Sequence, residues 1–488
     1  MRDNKGAALI AAGTLAVLVS FAWGYGYDRD ELYFLAAGHH LDWAYADQGP
    51  VTPLIARAMS QIAPDSLVVL RLPSALAAGL TVLVTGLLAR EFGGRRRAAA
   101  IAAACAAVAS LVLFTGHILS TSTFDLLTWT LLVWLAVRAI RTGSDRLWII
   151  AGVVLGIGML NKPLPAFLAA GMLAGVLIAG PRRLLRNPYV WVGAAIAVVM
   201  WLPWILWQAD HGWPQIDVSR SIAAGNSKSS EPWWAIVPFQ FLLVSPLLAP
   251  VWIAGLLRLF RDPGLRDVRF LGWTWVVLAV VFMASGGKPY YLGGLLPALL
   301  GAGAAPVDAW LDRGRETVRR ALLGVAIAAS AAVSFVVCLP ILPAKDADIA
   351  IAMNGDVGEM IGWPELARAV AGVEQRLPGT PDRVVVLTRN YGEAGAIDRY
   401  GPAFGLPGAY SGHNAYWEWG RPPDGARPLI AIGFDAADAD RWFRGCSLAT
   451  RVENEAGIDN DESGAPILAC WGPREPWSRE WPALRHLG

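Results

Sequence analysis

Ala7–Trp23 is an almost unbroken apolar run, and Tyr27-Asp28-Arg29-Asp30-Glu31-Leu32-Tyr33 follows it closely. The run is long enough to enter a bilayer, and the next stretch places four ionisable residues, Asp28 to Glu31, in succession. Tyr25-Gly26-Tyr27 is a poor small-residue cleavage site and further apolar segments follow, so the run reads as a retained first transmembrane helix and not as a signal peptide. The chain has 488 residues, 55% hydrophobic and 16% charged, with 23 Trp. A soluble domain carries about 25% charged residues, so the deficit points to an integral membrane protein. No Lys/Arg-rich arm or nucleic-acid motif is present, which argues against nucleic acid as a partner.

A spanning helix needs about 20 mostly apolar residues. Candidate spans run over 7–23, 68–89, 98–115, 120–137, 147–160, 164–180, 189–207, 234–257, 270–285, 289–310 and 321–342, about eleven transmembrane helices in all. Arginine clusters fall in every second loop: Arg90 with Arg95–Arg97; Arg138, Arg141 and Arg146; Arg182, Arg183 and Arg186; Arg258, Arg261, Arg266 and Arg269; Arg313, Arg315, Arg319 and Arg320. Cytoplasmic loops carry excess Lys/Arg. The alternation therefore predicts a cytoplasmic N-terminus and places everything after about 343 outside. The other loops, holding Asp30, Glu31, His39, His40, Asp47, Lys162, Asp210, His211 and Lys288, then share the outer face.

The first outer loop, 24–67, has helix-compatible periodicity over 31–43 and 52–62, with Leu54, Ile55, Met59 and Ile62 on one face. This predicts helices lying along the membrane surface. Composition shifts near Ala344. Val384–Leu387 and Leu429–Ile432 read as buried strands, and Glu393–Tyr400 and Ala436–Phe443 as short helices, so the tail is a soluble α/β domain. The predicted domains are a membrane domain at 1–343 and an extracytoplasmic domain at 344–488. No GxGxxG or P-loop pattern accompanies the strands, so no nucleotide cofactor is expected. If the tail lies outside, Cys446 and Cys470 either form a disulfide or remain two thiols.

Several polar residues could carry chemistry. Asp30 and Glu31 are either catalytic carboxylates or acids that complement a helix dipole. Asp125, at the outer end of the fourth span, is an intramembrane carboxylate and a functional candidate by its cost. With Asp30 or Glu31 it could hold a divalent cation through oxygen ligands; the alternative is a carboxylate bonded to nearby Ser or Thr hydroxyls. Lys162 and Lys288, each before a proline in an outer turn, either neutralise a phosphate or snorkel to headgroups; Arg71 is a third such cation. His39 and His40 lack zinc-type spacing and suit acceptor contacts or interfacial packing. No GxSxG elbow is present.

The order of these features carries a resemblance. An Asp-Glu pair after the first span, an Asp near the fourth, an outer Lys-Pro turn and Lys288-Pro289-Tyr290-Tyr291-Leu292 resemble the GT-C glycosyltransferases. Within them, the chain is similar to the bacterial branch related to protein O-mannosyltransferases and lipid A aminoarabinose transferases. The stretch Tyr391–Asp398 through Ser411–Trp417 is similar to the tails of some bacterial members.

The resemblance implies a bacterial plasma-membrane enzyme that moves a sugar from a polyprenyl-phosphate donor to an extracytoplasmic protein, glycan or lipid. Asp30 would be the catalytic base and Glu31 its neighbour in the pair. Lys162, Lys288 and Tyr291 would meet the donor, with Arg71, His39 and His40 as further substrate contacts. A phosphate leaves as an anion, so one base suffices, whereas a glycosidase generally needs an acid as well. A single displacement would invert the sugar carbon. The competing reading, a transporter or flippase, expects polar residues through the midplane and inverted repeats, neither of which the sequence displays.

Overall fold

A computed structural model describes residues 4–227, 229–377 and 384–488. Contacts divide the chain into two compact units. The helical unit comprises Met1–Ala22, Gln48–Thr52 and Arg71–Leu339, and the tail unit comprises Trp23–Asp47, Pro53–Leu70 and Pro340–Gly488. This division differs from a single cut at 343/344, because most of the first loop packs with the tail.

Every apolar segment read from the sequence is helical. Leu67–Glu91, Thr121–Thr142, Pro188–Asp210, Pro289–Leu311 and Glu316–Cys338 are long and apolar enough to cross a membrane. Two further spans are broken: Arg96–Ala107 meets Ser110–His117 at 58°, and Trp233–Val244 meets Pro246–Arg261 at 90°. At the second break Ser245 adopts φ +123° and the following Pro246 cannot donate a backbone hydrogen bond, so the helix cannot continue. Lys5–Phe21, Arg146–Asn161, Leu164–Ala179 and Phe270–Ser285 are shorter apolar helices.

The arginine-rich loops gather at one end of the helical unit. Arg138 reaches Glu91 at 2.8 Å, Arg258 donates to the Phe92 carbonyl at 2.9 Å, and Arg97 pairs with Asp308 and Asp312. Arg183 lies 3.8 Å from Asp267. The antiparallel run of the helices then puts the turns at Asn161–Pro163 and Lys288–Pro289 at the opposite end.

In the tail unit the strands are β1 (Val385–Thr388), β2 (Ala409–Ser411), β3 (Leu429–Ile432), β4 (Phe443–Arg444), β5 (Ser447–Arg451), β6 (Pro466–Cys470) and β7 (Gly472–Pro473). Five form one sheet in the order β2-β1-β3-β6-β5, while β4 pairs with β7. β1 runs parallel to β2 and β3, with Val386 opposite Ala409 and Val385 opposite Leu429. β6 is antiparallel to β3 and β5. β1 and β3 are buried throughout, which explains the apolar runs Val384–Leu387 and Leu429–Ile432. Cys446 and Cys470 are joined by a disulfide.

The first loop forms helices Arg29–His39 and Val51–Ile62. Leu54 and Ile62 remain exposed, as expected of a helix lying against lipid. The helix Tyr391–Tyr400, which follows β1, packs against Arg29–His39, with Gly392 against Arg29 and Gly395 against Leu32. A Cβ on Gly395 would stand 2.8 Å from the Leu32 Cβ, so only glycine permits this approach.

Candidate functional site

The charged stretch Asp28–Glu31 divides its labour. Asp28 is the N-cap of helix Arg29–His39 and accepts from the Asp30 backbone at 2.9 Å. The Glu31 Oε2 reaches back to the Asp28 N–H at 2.8 Å, completing a capping box. Asp28 and Glu31 thus satisfy the orphan donors of the helix start. Burial, then the neighbouring Asp30 and Glu31 charges, push the Asp28 carboxyl well above its ordinary range.

Asp30 is half-buried, and its Oδ1 accepts from the Tyr391 hydroxyl at 2.8 Å. Among the described residues this is the one hydrogen bond its side chain makes. Arg29 faces an acid and an aromatic ring. Its Nε lies 3.8 Å from Glu359 Oε2, and its guanidinium sits 5.0 Å from the centroid of the Tyr391 ring.

A second carboxylate belongs to the same cluster. Asp47 accepts from the Tyr33 hydroxyl at 2.8 Å and from the Asn414 amide at 3.3 Å. The Tyr33 and Tyr391 rings are 4.7 Å apart. Asp47 is pushed up to about 6, chiefly by burial, with the Asp30 charge adding and the Tyr33 hydrogen bond opposing. Asp47 has no motif to mark it, and only its place on the outer face could have drawn attention. The aromatic neighbours extend outward: His40 stacks on Trp419 at 4.7 Å, and His39 lies 3.1 Å from Arg57. These contacts orient both rings, which remain exposed.

In the helical unit, Asp125 Oδ1 accepts from the buried Trp129 indole at 3.1 Å, in place of the Ser and Thr hydroxyls considered from sequence. It lies within electrostatic reach of Lys162 and Tyr291. The Lys162 ammonium is 5.4 Å from the centroids of both Tyr290 and Tyr291, a cation–π arrangement that holds the charge in place.

The turn carrying Lys162 is fastened by Asn161. Its amide donates to the Thr121 carbonyl at 2.8 Å, its Oδ1 accepts from Thr52 at 2.7 Å, and its carbonyl accepts from Gly49 N–H at 3.2 Å. A Cβ on Gly49 would fall 1.9 Å from the Leu160 carbonyl, so the strap requires glycine. Lys288 occupies the position just before the short helix Pro289–Leu295, and Gln240 donates to the Pro289 carbonyl at 2.9 Å. Arg71 is fully buried, donates to the Ala22 carbonyl at 3.1 Å and lies 3.4 Å from His117. Its guanidinium is part of the packing between helix ends.

The divalent cation considered from sequence would draw on Asp125 with Asp30 or Glu31, carboxylates that each have a hydrogen-bond partner within their own unit. Glu31 is engaged in its capping box and Asp125 faces an indole. Among the described residues no group of three His, Cys, Asp or Glu could hold a metal.

Residues 47–207 match the family of dolichyl-phosphate-mannose-protein mannosyltransferases. Two Pseudomonas relatives are undecaprenyl phosphate-alpha-4-amino-4-deoxy-L-arabinose arabinosyl transferases. The one from P. fluorescens is 31% identical over 273 residues, 51% of this chain and 46% of that protein. The one from P. savastanoi pv. phaseolicola is 27% identical over 350 residues, 66% of this chain and 64% of that protein. The chain thus spans about half the length of most of the curated relatives it matches. The crystal structure of ArnT from Cupriavidus metallidurans bound to undecaprenyl phosphate superposes with a TM-score of 0.62, covering 95% of this chain and 97% of that one at 15% identity. The protein is therefore a multi-pass membrane protein with the GT-C fold, and it resembles the aminoarabinose transferases and protein mannosyltransferases of that superfamily.

Proposed function

We propose that this protein is a membrane glycosyltransferase that moves a sugar from a polyprenyl-phosphate donor to an acceptor outside the cytoplasm. The carrying observation is the division of labour at the first loop. Asp28 and Glu31 are consumed in the helix cap, and Asp30 keeps a half-exposed carboxylate fixed through one oxygen by Tyr391. A base needs a held carboxylate with room to accept a proton.

In this reading Asp30 takes the proton of the acceptor hydroxyl. The hydroxyl oxygen forms a bond to the anomeric carbon as the bond from that carbon to the phosphate oxygen breaks, inverting the centre. The polyprenyl phosphate leaves as an anion. Lys162, set over Tyr290 and Tyr291, receives its charge, with Lys288 as the second cation. Such fixed charges lower the barrier where charge develops. Glu31 and Arg71 serve the framework.

Two observations support a cytoplasmic N-terminus and an outer tail. The arginine loops gather at one end of the helical unit, the side that faces the cytoplasm by the positive-inside rule. The Cys446–Cys470 disulfide suits an oxidising compartment. Thiol labelling of cells before and after reduction tests this: these two cysteines should label only after reduction.

The function is tested with purified full-length protein in detergent, undecaprenyl phosphate-4-amino-4-deoxy-L-arabinose as donor and lipid A as acceptor, with polyprenyl-phosphate mannose as the alternative donor. Asp30→Asn should abolish transfer while leaving undecaprenyl phosphate binding and the melting temperature unchanged. Near-normal turnover by Asp30→Asn overturns the assignment.

A further inference from the structure

We infer that the tail is a working part of the catalytic apparatus, with Tyr391 and Asn414 as positioning residues that orient the loop carboxylates Asp30 and Asp47. The inference rests on Asp30 being the base, and it gives the tail a function that sequence alone leaves open.

The geometry supplies two parallel clamps. Tyr391 opens helix Tyr391–Tyr400, whose N-cap Asn390 and third residue Glu393 form a second capping box. This fixes the backbone that aims the phenol. The ring is held on one side by Tyr33 at 4.7 Å and on another by the Arg29 guanidinium at 5.0 Å. The Tyr391 backbone N–H donates to His413 Nδ1 at 3.4 Å. So placed, the hydroxyl reaches Asp30 Oδ1 at 2.8 Å and leaves Oδ2 to meet an acceptor. Burial raises the Tyr391 phenol well above its ordinary value, with Arg29 opposing and Asp30 and Asp47 adding. It therefore stays protonated and donates.

The second clamp is built from the segment after β2. Asn414 adopts φ +49°, a left-handed conformation that asparagine tolerates better than most residues. Its Oδ1 accepts from the Gly488 N–H at 3.2 Å and its backbone N–H donates to the His486 carbonyl at 3.1 Å. With the amide oriented from behind, Nδ2 faces Asp47 Oδ2 at 3.3 Å. The next residue completes the clamp, since Ala415 N–H donates to the Tyr33 hydroxyl that itself donates to Asp47. The charged and titratable groups that face Asp47 include Asp30, Tyr33 and Glu418, with Tyr391 and Tyr45. Both carboxylates thus accept from donors delivered by residues 391–415, Asp30 from Tyr391 and Asp47 from Asn414, and Asp47 is held in addition by Tyr33 of the helix that carries Asp30.

The test separates positioning from folding. Tyr391→Phe keeps the ring, its stack on Tyr33 and its contact with Arg29, and removes only the hydroxyl. The expected result is a kcat lower by about 10- to 100-fold, the loss of one hydrogen bond to a charged group. Donor KM should be unchanged, and the acid limb of the kcat–pH profile should move to higher pH, because a donor that favours the ionised base is gone. Asn414→Gly keeps the left-handed backbone and deletes the amide; a smaller fall, about 3- to 10-fold, is expected from its longer bond. Tyr416→Phe is the matched control. It removes a buried phenol of the same unit that bonds Asp398 at 2.7 Å and should leave the acid limb in place. If Asp30→Asn is inactive but Tyr391→Phe keeps the wild-type kcat and pH profile, the clamp is wrong and the base stands. If Asp30→Asn turns over normally, the reading beneath the clamp fails as well.

Discussion

Lys162 and Asp30 reach their positions by different routes. In the helical unit, alternation of the spans forces every second turn to one end, so Lys162 and Lys288 emerge at one level whatever the packing details. Local fasteners such as Asn161 on Thr121 and Thr52 then fix the turn. In the tail unit nothing in the local sequence brings Asp30 to Tyr391, which lies 361 positions away. That contact depends on two helices meeting through Gly392 and Gly395. A site half built by topology should tolerate packing changes and fail only when its charge is removed, whereas one built by tertiary packing should fail when the packing is wedged apart.

The largest expected effect comes from the topological half. Lys162→Met keeps the apolar stem between the helices and removes the charge. A charge-assisted contact to phosphate is worth about 2–3 kcal/mol, so undecaprenyl phosphate binding should weaken about 30- to 100-fold. The melting temperature should stay within a degree or two. Titration of the purified variant with undecaprenyl phosphate measures this directly; unchanged affinity would move the phosphate to Lys288.

The packing half is tested by Gly395→Leu. The new side chain meets the Leu32 Cβ and backbone within 3.1 Å, and overpacking of this kind costs about 1–3 kcal/mol. Transfer should fall in parallel with hydrogen-exchange protection of the Tyr391–Tyr400 helix, while undecaprenyl phosphate binding stays at the wild-type value. Loss of phosphate binding in this variant would show that the two halves are not built independently.

The same contrast governs what the sequence discloses. The span pattern, the level of the lysine turns and the strands β1 and β3 follow from periodicity and composition. Those signals depend on near neighbours and on the bilayer. The pair Asp30-Glu31 looks symmetrical as a motif. The spacing from Asp28 to Glu31 is the legible sign that Glu31 belongs to a helix cap, and that sign separates it from Asp30. Arg71 reads as an outer cation because burial of its guanidinium against Ala22 and His117 is a tertiary fact. Asp47 and Asn414 carry no motif, and their meeting needs two distant segments to be placed together. The tail stretch from Tyr391 to Trp417 is recognisable as a resemblance, yet its contacts alone assign it a task.

The smallest effect is also the one whose sign is most informative. Behind the clamp, Glu393 accepts from the N–H groups of Arg389 and Asn390 at 2.9 and 3.0 Å and is hydrogen-bonded to the Glu462 carboxyl. Burial, opposed by those hydrogen bonds, pushes Glu393 up from 4.5 to about 7, and Glu462 is raised as well, by burial and then by Glu393. Two such carboxyls share a proton near neutrality. A carboxyl whose folded value exceeds its unfolded one takes up a proton on folding, so the wild-type tail unit loses stability as pH rises from about 4.5 to about 7. Glu393→Gln replaces the shared proton with a permanent N–H donor to Glu462 and keeps an oxygen for the two backbone donors. The variant should therefore be more stable than wild type at pH 8, by about 1–2 kcal/mol, somewhat under the full linkage value because the two sites titrate together. The gain should shrink through pH 7 and vanish near pH 4.5. Hydrogen exchange of β1 and β3 in the full-length protein across that range measures it. A gain independent of pH would mean that no proton is shared, and the rigidity behind Tyr391 would then come from the capping box and the glycine-mediated helix contact alone.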